Sequence, residues 1–187
     1  IILYHDEGGW MGYGLGYGSP IAYGAVRFTP SQDVTLTAVD FWAVDTHMNY
    51  EIKIFDTLNT YPGYYTFSNQ LGTTQTGTTN EQGYYSILLD TPVQLVSGDD
   101  FIIQVKLTTS GMGFPLPIDY YTSGTHPWLP PWSTIATFSG ESYKSPDGAQ
   151  FVKPTVDIGI RARALSGGPD LNITDKFETW LNMTHYN

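Results

Sequence analysis

The chain has 187 residues and a formal net charge of −10, from 18 acidic and 8 basic side chains. Its lysines and arginines form no cluster able to neutralise phosphates, which excludes nucleic-acid binding. It has no cysteine, which excludes disulfides, thiol catalysis and cysteine-bound zinc. It also has no apolar run of about 18 residues that would predict a membrane span.

The first half of the chain alternates apolar and polar side chains, as strands do because successive side chains point to opposite faces. This alternation predicts strands over residues 1–4, 22–28, 34–44 and 50–55. Within the third strand, Leu36 and Ala38 share one face, whereas Val39 and Phe41 share the other. A slip of one residue inside a strand predicts a β-bulge.

Two polar or glycine-rich stretches are predicted to be connections. Residues 11–20 form a glycine-tyrosine loop. Residues 56–82 are rich in Thr, Asn and Gly, and we expect a long connection there with one edge strand near residues 65–71. Such compositions are typical of turns and loops.

Residues 83–107 alternate most clearly and predict two strands joined by a turn. In the first strand, the packed face carries Tyr85, Ile87 and Leu89. In the second strand, the packed face carries Phe101, Ile103, Val105 and Leu107. Its opposite, wetter face carries Ile102, Gln104 and Lys106. One packed face and one wetter face are typical of an antiparallel β-sandwich.

The remainder of the chain is less regular. Residues 111–140 hold five prolines and two tryptophans and predict no strand. A short hairpin is predicted over residues 142–144 and 150–153, and a last strand over residues 156–164. In that strand we expect the inward side chains to be Val156, Ile158, Ile160 and Ala162, and the outward ones Asp157, Arg161 and Arg163. Residues 175–181 are the one weak helix candidate.

Short strands separated by turns predict an all-β fold, an antiparallel β-sandwich of jelly-roll type. Composition divides the chain into a sandwich domain (residues 1–165), a linker (166–169) and a tail (170–187) that either docks on the sandwich or begins a following module. The chain begins at Ile1 without a signal-peptide pattern, which favours either a processed piece of a longer protein or a cloned domain boundary.

Nine short motifs follow one another in order over residues 1 to about 165. They are YHD from Tyr4, AVRFT from Ala25, LTAVDF from Leu36, YEIKIF from Tyr50, GYYSILL from Gly83, PVQL from Pro92, GDDF from Gly98, GESYKS from Gly140 and IGIRA from Ile158. Together they resemble the lectin-like domain that follows a papain-type cysteine protease in surface proteins of bacteria such as clostridia, and in related archaeal proteins. The tail motif GPDLNIT, from Gly168, resembles the start of a CARDB module, an immunoglobulin-like repeat of adhesion-related surface proteins.

The resemblance implies a lectin-like jelly roll with Ca²⁺ in some members. It also implies a secreted or cell-surface location and a supporting role beside a protease or wall-binding module. The chain departs from the family at the usual Trp after the Ser-x-Asp-Gly turn, where Ala149, Gln150 and Phe151 stand instead. Sugar binding does not follow from the shape that the word lectin describes.

Calcium takes about 6–8 oxygen ligands, often from carboxylates in irregular loops. The predicted ligands are Asp6, Glu7, Asp45 and Asp99, with Asp56 and Asp100 as further candidates. The alternative is that these acids lie in solvated turns.

Ligand contact is predicted first for Trp128 and Trp132, because two prolines between them hold the backbone extended and fix both rings. Tyr121, Tyr13 and Tyr17 are the further contact candidates. The alternatives are that the tryptophans cap the sandwich core and that the tyrosines belong to an ordinary loop.

No Gly-x-Ser-x-Gly or His-Glu-x-x-His motif accompanies the four histidines, which argues against catalysis. Asn172 and Asn182 begin N-glycosylation sequons. The sequence therefore predicts a non-catalytic surface module that binds a glycan or a protein beside other domains, with a structural calcium ion. Two alternatives stay open: a surface-layer or fibre subunit whose tail adds a strand to a neighbouring subunit, and a glycan-cleaving enzyme.

Overall fold

The computed structural model describes residues 1–10, 12–119 and 138–167, and every regular element in these ranges is a strand. The twelve strands are β1 (Ile2–Leu3), β2 (Gly14–Leu15), β3 (Ile21–Phe28), β4 (Val34–Ala43), β5 (Asn49–Tyr61), β6 (Tyr64–Thr78), β7 (Gly83–Leu95), β8 (Phe101–Thr108), β9 (Leu116–Asp119), β10 (Ser142–Ser145), β11 (Asp157–Ile158) and β12 (Ile160–Ser166). The all-β prediction is therefore confirmed. No helix in these ranges is long and apolar enough to cross a membrane.

Two antiparallel sheets form the sandwich, with strand orders β1-β12-β4-β7 and β10-β3-β8-β5-β6. Their facing sides bury one continuous apolar core, to which β4 contributes Val39 and Phe41 and β8 contributes Phe101, Ile103 and Val105. Burying these side chains supplies the main driving force for folding. The strands predicted over residues 83–107 are both present, but β7 and β8 lie in different sheets.

The predicted bulge in the long strand is confirmed. The register of β4 against β7 shifts between Leu36 and Ala38, and its register against β12 shifts at the same place. Against β12, Thr37 is the extra residue, whereas against β7 it stands opposite residues 89–92. It lets Leu36 and Val39 both reach the core although they are three residues apart.

The long polar connection predicted over residues 56–82 is wrong, although the edge strand predicted near residues 65–71 is present as part of β6. β5 and β6 form a hairpin that runs the length of this stretch and closes through Pro62 and Gly63. Proline fixes a φ angle suited to the first corner of a tight turn, and the φ of 88° at Gly63 suits the second. Polar Thr and Asn side chains are compatible with this hairpin because every residue of its outer strand β6 is exposed or half-buried.

The outer face of the five-stranded sheet is partly roofed by the chain itself. Phe151 is hydrogen-bonded through its backbone to Tyr65 of β6, and Val152 to Lys144 of β10. These bonds join the two edges of the sheet and close the strands into a ring. The short hairpin predicted over residues 142–144 and 150–153 is thus confirmed, because Lys144 and Val152 are paired through their backbones.

The closed ring encloses a second apolar cluster made of Ala25, Ile102, Tyr143 and Phe151, with further aromatic rings packed around it. Consequently β8 is buried on both faces. The prediction that Ile102 and Gln104 lie on a wetter face is wrong, since they are 0% and 5% exposed.

A third, small sheet has the order β11-β9-β2. It corrects two predictions, because β2 lies in the predicted glycine-tyrosine loop and β9 lies in the stretch predicted to hold no strand. The predicted last strand is divided at Gly159 into β11 and β12. Asp157, predicted to point outward, is buried because Ser139 and Ser142 donate hydrogen bonds to it.

The weak helix candidate at 175–181, the tail from 170 and the sequons at Asn172 and Asn182 lie outside the described residues. The division into domain, linker and tail stays a prediction. Ser166, placed in the linker by composition, is the last residue of β12.

Candidate functional site

The small third sheet places Tyr13 and Tyr17 at the surface, with exposed fractions of 51% and 39%. The Tyr13 carbonyl accepts hydrogen bonds from the Trp10 indole and from the Ile118 backbone. The Lys144 ammonium lies 5.1 Å from the centroid of the Tyr17 ring. Burial, reinforced by nearby Asp147, raises the pKa of Tyr17.

The same sheet holds together the two ends of the segment that carries the predicted contact residues Tyr121, Trp128 and Trp132. These three residues lie outside the described ranges. Before the segment, Asp119 pairs with Asp157 across β9 and β11. After it, Ser139 donates to the Asp157 carboxylate through its backbone N–H at 3.0 Å. The chain therefore leaves and returns at one point beside Tyr13.

Four acids lie near one another at this end of the sandwich, and we call Asp6, Glu7, Asp119 and Asp157 the acidic corner. Arg161 Nε lies 2.8 Å from Asp6 Oδ1, and the Gly8 backbone N–H donates to Asp119 Oδ2 at 2.8 Å. An added Cβ at position 8 would lie 2.8 Å from Asp119 Oδ1, so any other residue there would force the Asp119 carboxylate to shift.

Two carboxylate oxygens of the acidic corner are buried without a hydrogen-bond partner among the described residues, Asp6 Oδ2 and Asp119 Oδ1. Burial raises the pKa of Asp6 to about 6, against the lowering effect of Arg161. Burial also raises the pKa of Asp119. Buried oxygens of this kind favour a bound proton or a cation, either of which compensates their lost hydration.

The four predicted calcium ligands are not brought together. Asp6 and Glu7 lie in the acidic corner, whereas Asp45 follows β4 and accepts hydrogen bonds from the Thr46 backbone and the Ser110 hydroxyl. Asp99 lies exposed in the turn between β7 and β8. Over the described ranges, no three His, Asp or Glu side chains are close enough together to hold a metal ion by themselves.

The outer face of the four-stranded sheet carries a ladder of aromatic and cationic groups. The Arg161 guanidinium lies 5.0 Å from the Tyr4 ring centroid and 5.9 Å from that of Tyr84. Asp40 is fully buried and is neutralised by Arg163 Nη2 at 2.7 Å. The Tyr84 hydroxyl donates to Asp40, and its pKa is raised to about 12 by burial and by that carboxylate.

His5 and His47 are the histidines within the described ranges. His5 Nε2 lies 3.0 Å from the Arg27 carbonyl oxygen, and its ring stacks on Phe28. His47 lies exposed between β4 and β5 with a φ of 53°. Among the described residues, neither ring is hydrogen-bonded to the serine or threonine hydroxyl that a serine–histidine or threonine–histidine nucleophile pair would require.

Sequence reasoning missed Asp119 and Asp157. Asp119 follows alternating Leu116 and Ile118, a signal of a short strand that the surrounding prolines concealed. The alternation of the last strand predicts that Asp157 points outward. Its burial is favourable because the hydroxyls of Ser139 and Ser142 donate hydrogen bonds to its carboxylate.

The model of the family described as lectin-like domain matches residues 2–159. The structure is similar to that of the cysteine protease and lectin-like domains of Cwp84, a surface layer associated protein of Clostridium difficile, with a TM-score of 0.52 and 18% identity over 80% of this chain and 33% of that chain. It is also similar to clostridial cysteine protease Cwp84 after propeptide cleavage, with a TM-score of 0.59 and 19% identity over 80% and 37%.

No curated protein matches the chain. The chain spans about a third of each Cwp84 chain, and at these identities the likeness concerns the fold. The family model, in contrast, covers most of the sequence, from β1 into the residues that join β11 to β12. The chain belongs to the lectin-like domain family.

Proposed function

We propose that the chain is a non-catalytic binding module of a secreted or cell-surface protein that contacts a glycan or a protein beside other domains. One observation carries this proposal. The third sheet gathers exposed Tyr13 and both ends of the segment containing Tyr121, Trp128 and Trp132 at one end of the sandwich. Aromatic rings presented on a rigid scaffold are suited to sugar rings and to protein partners.

The test is binding of the whole chain to a glycan array and to immobilised extracellular protein. We expect a double variant, Tyr13→Ala with Tyr17→Ala, to lose at least about tenfold in affinity, because exposed aromatic anchors dominate such contacts. The Trp128→Ala and Trp132→Ala variant should lose as much.

Tyr61→Ala is the matched control, because Tyr61 is an exposed tyrosine at the closed end of the β5–β6 hairpin, stacked on Tyr64. It should bind as the unaltered chain does. Equal binding by all three variants would contradict the proposal.

A structural calcium ion is part of the proposed function. The acidic corner fits it better than the other predicted positions, because Asp6 Oδ2 and Asp119 Oδ1 are buried oxygens without a hydrogen-bond partner among the described residues. Asp6 and Asp119 would hold the ion, with Glu7 adjacent and backbone carbonyls or water completing its shell. Its charge would offset the buried carboxylates and stabilise this end of the sandwich.

The second candidate function is a subunit of a surface layer or fibre that associates by strand addition. One observation favours it: β6 is a 15-residue edge strand with no charged residue and no proline, bridged on its outer side to Phe151 at Tyr65. The remainder of this edge lacks the charges and prolines that commonly protect an edge against pairing with another chain. The predicted tail from residue 170 would supply the added strand.

A further inference from the structure

The outer face of the five-stranded sheet carries two rows of polar side chains on β6, β5 and β8. In one row, Asn49 pairs with Thr78 and Thr108; in the next, Glu51 pairs with Thr76 and Lys106. Cross-strand partners share a face, and residues two apart along a strand share it as well. Asn49, Glu51, Thr76, Thr78, Lys106 and Thr108 therefore line one surface, which we call the polar trench.

The polar trench is a shallow, open depression. These six residues, with Tyr50 and Gly77 between the rows, line a cavity of about 350 Å³. Its size is at the lower end of the range typical of small-ligand sites, about 300–1,000 Å³. Beyond the next row, which holds Lys53 and Gln104, the same face is roofed by the closed ring and its aromatic cluster. The trench is thus the open half of a face whose other half is covered.

The polar groups of the trench are only partly used within the described chain. Thr78 donates to Asn49 Oδ1 at 2.7 Å, and no described residue accepts from the Asn49 amide nitrogen. Glu51 Oε1 receives Lys53 at 2.8 Å, which leaves Oε2 as an acceptor. Lys106 has no carboxylate partner in the described ranges and lies 5.7 Å from the Tyr23 ring centroid.

The charges of the lining balance, with one carboxylate and one ammonium, so a strongly charged ligand has no electrostatic advantage there. The free groups are an amide donor, an ammonium donor, a carboxylate acceptor and threonine hydroxyls that do both. A compact neutral ligand with many hydroxyl groups, each able to donate and accept, matches this mixture best.

We propose that the polar trench is a binding site for a neutral saccharide of one or two residues. The site lies on β5, β6 and β8, whereas Tyr13 and Tyr17 belong to the third sheet and to the opposite edge, beside β10. This inference therefore goes beyond the proposed function and can fail independently of it.

The experiment is a chemical-shift titration of the ¹⁵N-labelled whole chain with neutral disaccharides. Four probes are used, built from glucose, mannose, galactose or N-acetylglucosamine, each to about 20 mM because single shallow sites bind with millimolar dissociation constants. We expect at least one probe to shift backbone amides within residues 49–51, 76–78 and 106–108.

Two variants test the lining. Lys106→Ala and Glu51→Gln should each weaken binding about tenfold, since each removes a charged hydrogen-bonding group that faces the ligand. Both side chains are half-buried on the surface of the sheet, so the fold should persist. Thr60→Ala, an exposed change near the other end of β5, is the matched control and should leave affinity unchanged.

Absence of any shift with all four probes would overturn the proposal. Shifts confined to residues near Tyr13 and Tyr17 would also overturn it, and would instead support the contact surface described under the proposed function. Shifts in the trench that persist unchanged in both lining variants would overturn it as well.

Discussion

The Tyr143 hydroxyl is buried inside the closed ring and has no hydrogen-bond partner among the described residues. Its ring meets Tyr65 and Phe67 edge-on, with centroids 5.0 and 5.8 Å away. The ring therefore contributes packing, whereas the hydroxyl has lost its hydration without compensation. A buried polar group left unsatisfied costs about 1–3 kcal/mol.

We expect Tyr143→Phe to raise the free energy of unfolding by about 1 kcal/mol, because it removes the unsatisfied hydroxyl and keeps the ring. The control is Tyr84→Phe, which removes a hydroxyl that donates to Asp40 and should lower the same quantity by about 1 kcal/mol. Urea unfolding measures both. A loss of stability in Tyr143→Phe would contradict the unsatisfied state of this hydroxyl.

The unaltered chain and Tyr143→Phe should also differ in alkali. Burial raises the pKa of Tyr143 from 10.0 to about 12, so the unfolded chain loses this proton first. The contribution of the protonated Tyr143 hydroxyl to the free energy of unfolding is fully present below pH 10. It is lost as the pH rises toward 12. Because phenylalanine has no such proton, the advantage of Tyr143→Phe should grow over this interval. A constant difference between about pH 9 and about pH 12 would contradict the shift.

At the level of elements, β6 is the outer strand that strand addition would use. We expect the full chain to associate with increasing concentration, measured by light scattering, because an uncharged edge accepts another strand. A chain ending at Gly167 should stay monomeric. Gln70→Lys, which places a charge on an exposed position of this edge, should weaken association. A full chain that remains monomeric throughout would exclude this second function.

The strands that the sequence predicts well are those with one packed and one wetter face, such as β7. The pattern fails at β8, because alternation cannot reveal that Phe151, far along the chain, roofs the second face. It fails at the β5–β6 hairpin because threonine-rich edge strands have little apolar signal. It fails at β9, whose four residues include a proline.

The candidate site was predictable only in part for the same reason. Asp6, Tyr13 and Tyr17 stand in local motifs that the sequence displays. Asp119 is brought beside them by the pairing of β2 with β9 and by its hydrogen bond to Gly8, whose position in the chain is more than a hundred residues away. No local sequence pattern predicts such a contact. The polar trench likewise depends on the register of three strands, and its Asn, Glu, Lys and Thr residues are individually ordinary.

For the molecule as a whole, the acidic corner links the first loop, β9 and β12 at one end of the sandwich. We expect about 1 mM Ca²⁺ to raise the melting temperature relative to EDTA by roughly 5–10 °C, if the ion is near 100 times its dissociation constant. Calorimetry measures this difference. The shift should disappear in Asp119→Asn and persist in the control Asp99→Asn.

Identical melting temperatures of the unaltered chain in calcium and in EDTA would remove calcium from the proposed function. A shift lost in Asp99→Asn but kept in Asp119→Asn would move the ion to the turn between β7 and β8. The net charge of −10 makes the unaltered chain a general attractor of cations, so both variants are needed.

The pairing of β12 between β1 and β4 has a consequence for biosynthesis. The four-stranded sheet lacks β12, which lies between β1 and β4, until Ser166 has been translated, because β12 is the last strand of the described chain. Until then a nascent polypeptide leaves the Val39 and Phe41 side of the interior uncovered. We therefore expect the sandwich to complete its folding only after β12 has been synthesised, and a chain terminated before residue 160 to aggregate rather than to form a smaller stable domain.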